Sequence, residues 1–102
     1  MVHATRAALV ACLVGLAAPA LAGSLSTLQD TARRCFETGA ASACDAVWDL
    51  SDPLKQQADS RGQLRCYTAL LALEANVSKL KRGSQDPLHQ AQALQDISLY
   101  CQ

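Results

Sequence analysis

From Ser24 onward, apolar and polar positions recur with the period of an α-helix, and no stretch alternates convincingly with the period of two that a half-buried strand requires. Leu25, Leu28, Ala32, Cys35 and Phe36 form one apolar stripe, so a first helix starts near Ser24 or Ser26, either of which suits an N-cap. Gly39 is the natural left-handed stop. Ser42 is then the expected cap of a second helix carrying Cys44, Val47, Trp48 and Leu50. Asp52-Pro53 interrupts that pattern as a cap followed by proline at the first helical position, so either a new helix or a kinked continuation runs from Pro53 to about Ser60. Gly62 breaks the chain again.

A long helix follows, from Gln63 to about Arg82. At 100° per residue, Cys66, Leu70, Leu73, Val77 and Leu80 line one stripe along its whole length. Leu64, Tyr67, Leu71 and Ala75 line a second near its start, which places this helix centrally, packed on two sides. Gly83 ends it. Asp86-Pro87 repeats the start signal and opens a last helix to about Cys101, with Leu94, Ile97 and Cys101 on one stripe and Leu88 and Ala91 on a neighbouring one. The expected fold class is all-α: four to five short antiparallel helices in a single helical domain, 23–102.

The residues before that domain read as a targeting segment. A basic start at Arg6, an apolar run from Ala7 to Ala18, Pro19 and small residues at Ala20 and Ala22 make the three-part pattern of a signal peptide over 1–22, cleaved before Gly23. The run is short for a membrane span, so no stable membrane association is expected after cleavage. Leu9-Val10-Ala11-Cys12 resembles a lipobox, but only five apolar residues precede Cys12 and the chain stays apolar beyond it. Without Arg6, eight basic residues face nine acidic ones. That balance argues against nucleic acid or anionic lipid as a partner.

Export makes the cysteines a framework question. Loss of Cys12 leaves an even set, Cys35, Cys44, Cys66 and Cys101, for which three pairings exist. In an antiparallel hairpin, residues equidistant from the turn meet. Cys35 and Cys44 are centred beside Gly39, and Cys66 and Cys101 beside Gly83. If both turns form antiparallel hairpins, the favoured pairing is Cys35–Cys44 with Cys66–Cys101, giving disulfide-stapled helical hairpins. No Cys-x-x-Cys is present, so neither a zinc site nor a dithiol redox centre is expected.

Other chemistry is thin. His89 is the only histidine after the targeting segment, and nothing near Ser84 sets up an oxyanion site or a third catalytic member. Asp45, Asp49 and Asp52 share a helix face that reads as solvated. Lys79, Lys81 and Arg82 suit the negative end of a helix dipole. Asn76-Val77-Ser78 fits a glycosylation sequon but falls mid-helix, and Trp48 reads as a core residue rather than a partner anchor.

The stretch ACDAVWDLSDPLKQQADSRGQLRCYTALLALEANV, Ala43 to Val77, resembles a family of small exported proteins from cyanobacteria, through the core Cys66-Tyr67-Thr68-Ala69-Leu70-Leu71-Ala72-Leu73-Glu74-Ala75. The resemblance implies export and supplies no catalytic residues. The expected function is therefore an exported, non-enzymatic helical interaction or accessory module of the periplasm or another extracytoplasmic space, with no cofactor, no metal and an unidentified protein partner. The alternative is a binder of a small apolar ligand between the helices. Oligomeric state is not set by these residues.

Overall fold

The computed structural model describes residues 24–102, and the targeting segment with Cys12 lies outside the described residues. Four helices run through the described residues: α1 (24–38), α2 (Ala41–Ser60), α3 (Leu64–Lys81) and α4 (Pro87–Tyr100). Cross-links fix their directions. The disulfide Cys35–Cys44 closes the α1–α2 hairpin, Lys81 pairs with Asp45 and Glu74 with Ser51 between α3 and α2, and the disulfide Cys66–Cys101 ties α3 to the end of α4. Each helix is therefore antiparallel to the one before it. Gln29 Nε2 donates to Ser98 Oγ at 2.8 Å, bringing α1 against α4.

The core draws on all four helices. Leu28, Ala32 and Cys35 of α1 meet Cys44 and Val47 of α2, Leu70, Leu73 and Val77 of α3, and Ile97 of α4, every one of them buried. The central placement of α3 holds, since it packs on both α2 and α4. The two disulfides are the favoured pairing, each with a Cα–Cα separation of 4.7 Å. Gly39 turns the first hairpin with φ +68°, a conformation that disfavours any side chain. Asp86 caps α4 by accepting from the His89 backbone N–H at 3.3 Å, with Pro87 at the first position.

Several expectations are corrected. Ser42 is not a cap: α2 already begins at Ala41, with Ala40 as its N-cap and no side-chain bond. The short Cys35–Cys44 loop leaves little chain between the helices, so reversal is immediate. Of the two readings left open at Asp52-Pro53, the continuation is the one observed: Pro53 starts no new helix and sits inside α2, which runs on to Ser60. It lies on the exposed side, while Cys44, Val47, Ser51 and Ala58 keep one continuous buried stripe past it. Pro53 has no N–H to donate to the Asp49 carbonyl, but both residues are on the exposed side, and packing holds the two halves together.

The second stripe of α3 does not pack. Leu64 is 74% exposed and Leu71 43% exposed, Ala75 is exposed, and only Tyr67 is half-buried. Instead α3 buries one broad arc, Cys66, Ala69, Leu70, Leu73, Glu74, Asn76 and Val77, whose two edges meet α2 and α4. Likewise Leu88 is 77% exposed and Ala91 exposed, whereas Gln90 and Ala93 are buried in α4. Gln90 is tolerated there because its amide donates to Gln85 Oε1 at 3.0 Å.

Candidate functional site

The most distinctive outward feature is a groove of about 330 Å³ along the α3–α4 seam. Leu64, Arg65, Thr68 and Ala72 supply one wall, and Asp96 and Tyr100 the other. Its position follows from the hairpin. The Cys66–Cys101 bridge brings the first turn of α3 beside the last turn of α4, so the Arg65 guanidinium sits 5.7 Å from the centroid of the Tyr100 ring. That is cation–π range. The small side chains of Ala69 and Ala72 leave the groove its depth.

Beneath the opposite edge of α3 lies a polar cluster. Ser51 Oγ donates to Glu74 Oε2, and Lys55 Nζ donates to Glu74 Oε1 at 3.0 Å while also lying 3.2 Å from Asp52. Ser51 is fully buried and Glu74 nearly so. Burial alone pushes the Lys55 ammonium down, but its bonds to Glu74 and Asp52 outweigh this and raise it above its ordinary value of 10.5. Ser51 and Glu74 are its buried end, and Lys55 and Asp52 carry it out to a shallow surface pocket that they share with Gln56, Asp59 and Tyr67, so the cluster braces α2 on α3 with its members paired to one another.

His89 is exposed, with Nδ1 2.7 Å from Asp86 Oδ2. Burial pushes Asp86 up, yet hydrogen bonds from His89 and Lys79 hold its carboxyl below its usual value. No hydrogen bond joins Ser84 to His89 among the described residues. No group of three or more His, Cys, Asp or Glu side chains among the described residues is placed to hold a metal ion. No described helix is long and apolar enough to cross a membrane.

Most of the other marked residues have structural partners, while Asp49 and Arg82 are exposed. Asp45 pairs with Lys81, whose ammonium also stands 5.5 Å from the Trp48 ring; Trp48 is half-buried and packs on the core. Asp52 pairs with Lys55, and Lys79 with Asp86 at 3.5 Å. Asn76 of the sequon is buried, its amide donating to the Ala72 carbonyl at 2.9 Å. A glycosyltransferase has no access to it in the folded domain.

Arg65, Asp96 and Tyr100 were not legible as a group from periodicity, which follows one helix at a time. The equidistance rule that pairs Cys66 with Cys101 puts Arg65 level with Gln102, two residues past Tyr100, near enough for its long side chain to reach that ring. It would also have found Ser51 and Glu74, whose midpoint falls beside Gly62.

The two bridges differ in access. Cys35 and Cys44 are buried, whereas Cys101 is half-exposed at the end of α4. Graded reduction under native conditions, followed by alkylation and peptide mass mapping, should label Cys66 and Cys101 before Cys35 and Cys44, because exchange requires the attacking thiolate to reach a sulfur. Equal labelling of all four at every stage would contradict this ordering. No protein-family model matches the chain, and no curated protein or solved structure matches it either.

Proposed function

We propose that the protein is exported and acts outside the cytoplasm as a non-enzymatic helical interaction module, with the α3–α4 hairpin as its docking element. One observation carries this reading. Among the described residues, the large apolar side chains left exposed, Leu64, Leu71, Leu88, Leu99 and Tyr100, all belong to α3 and α4. Exposed apolar surface concentrated on one supersecondary unit marks a contact surface more often than scattered single residues do. Tyr100 and Arg65 add the residue types that anchor interfaces. Two disulfides support an oxidising compartment, and the resemblance of Ala43 to Val77 to exported cyanobacterial proteins points the same way.

The test has two steps. Intact mass of the protein recovered from the exporting cell should begin at Gly23 and lack four hydrogens relative to the reduced chain. Photo-crosslinking from position 64 or 99 should then trap a protein, and crosslinking from exposed position 33 of α1 should not. An unprocessed chain with free thiols would refute export. Equal crosslinking from both faces would refute the assigned surface.

A further inference from the structure

The charges of the groove are arranged so that the groove complements itself. Arg65 and Asp96 line it together, yet among the described residues neither has an oppositely charged partner. Arg65 lies against the Tyr100 ring, and Asp96 accepts only from Gln92 Nε2, at 2.9 Å. Both are displaced along the groove. The Arg65 guanidinium lies over Tyr100, four residues beyond Asp96 on α4, so the two charges are offset by about 6 Å along the groove at 1.5 Å per residue. A two-fold axis lying in the plane of the groove's mouth, perpendicular to the line that joins the two charges and crossing it midway, exchanges the two positions. Arg65 of one copy then meets Asp96 of the other, twice. An isologous interface requires a surface that pairs with itself in this way.

The surroundings fit close approach. Ala69 and Ala72 keep the α3 wall low, and Leu64 and Tyr100 offer apolar surface beside the charges. A groove bearing one sign of charge would instead call for a partner of the opposite sign. This one carries one of each.

We propose that the α3–α4 groove is a homodimer interface, in which two copies pack about a two-fold axis with reciprocal Arg65–Asp96 ion pairs. The proposal rests on the reading of α3–α4 as a docking element and names its occupant as a second copy of the chain. Complementary charges set register and exclude misaligned pairing, while the apolar side chains supply the buried area.

Analytical ultracentrifugation of the secreted, oxidised protein, from about 1 to about 200 µM, tests it at low and high salt. The weight-average mass should climb from one chain toward two, less steeply in high salt. Arg65→Glu and Asp96→Arg should each raise the dimer dissociation constant about tenfold or more, since each places like charges opposite one another. The double variant Arg65→Glu with Asp96→Arg should restore the dimer. Both positions are at the surface, and an unchanged thermal midpoint by circular dichroism confirms that each variant is folded; if one single variant fails that check, the other carries the test. A monomer at every concentration overturns the proposal, as does growth beyond two chains, or a double variant that folds and stays as weak as the singles. If the monomer still crosslinks a different protein from position 64, the homodimer falls and the interaction reading stands. If position 64 crosslinks nothing, both fall.

Discussion

Replacing Cys66 and Cys101 together by alanine should lower stability by about 3–4 kcal/mol and the thermal midpoint by about 15–25 °C, read by circular dichroism at 222 nm. The bridge spans a sequence separation of 35. Closing a loop of that size in the unfolded chain is worth about 3.8 kcal/mol in the chain-entropy picture. The Cys35–Cys44 bridge spans only nine and is worth about 2.7 kcal/mol on the same basis, so its removal should cost visibly less. A domain of this size has a marginal core, and the total stability of small domains lies near 5 kcal/mol. The long bridge therefore supplies a large share of what keeps the hairpin closed. It also holds Tyr100 beside Arg65, so the same variant should loosen the groove first. A loss below about 1 kcal/mol would mean that α3 and α4 stay together by side-chain packing alone.

How far such a fold is legible in its sequence depends on which interaction decides each element. The Asp86-Pro87 start was legible because cap and proline act locally, and the structure has Asp86 accepting from His89. The identical dipeptide at Asp52-Pro53 left a new helix and a continuation both open, because there a distant core decides: Val47, Ser51 and Ala58 face it on one stripe, and the helix runs on. Ser42 was misjudged for a similar reason, since the Cys35–Cys44 bridge sets the turn and leaves no room for a cap at that position. The second stripe of α3 looked like packing because Leu64 and Leu71 are apolar at helical spacing. Periodicity reports that a face is apolar. It does not report whether the same chain covers it, and here nothing in the described residues does. The cysteine pairing was legible because equidistance from a turn is a property of any antiparallel hairpin. The Ser51–Glu74 contact obeys the same rule and Arg65–Tyr100 lies two residues from it, and neither carries a local signal of its own.

Glu74→Ala should cost about 2–4 kcal/mol, although it removes no apolar side chain from the core. Glu74 accepts from buried Ser51 and from Lys55, whose side chain is 19% exposed. Its removal strands the Ser51 hydroxyl on a weaker bond to the Trp48 carbonyl at 3.4 Å and leaves Lys55 with Asp52 alone. Breaking a fully buried ion pair costs about 3–5 kcal/mol; the partial exposure of Lys55 and its second partner reduce that. Ser51→Ala with Glu74→Leu removes the hydroxyl together with its acceptor, so it should cost less than Glu74→Ala or even stabilise, and urea melts of the three proteins would rank them. The pair also predicts a pH dependence. Burial lowers the Lys55 value, but Glu74 and Asp52 raise it above 10.5 in the folded state. A group whose value rises on folding contributes fully below its unfolded value, about 10.4, and loses that contribution as pH climbs through the folded one. The gap between the wild-type protein and Glu74→Ala should therefore stay level through neutral pH and narrow above about pH 10.5. A gap that persists unchanged into strong alkali would assign the cost of Glu74→Ala to the cavity and the Ser51 bond, and would remove Lys55 from the forces holding α2 on α3.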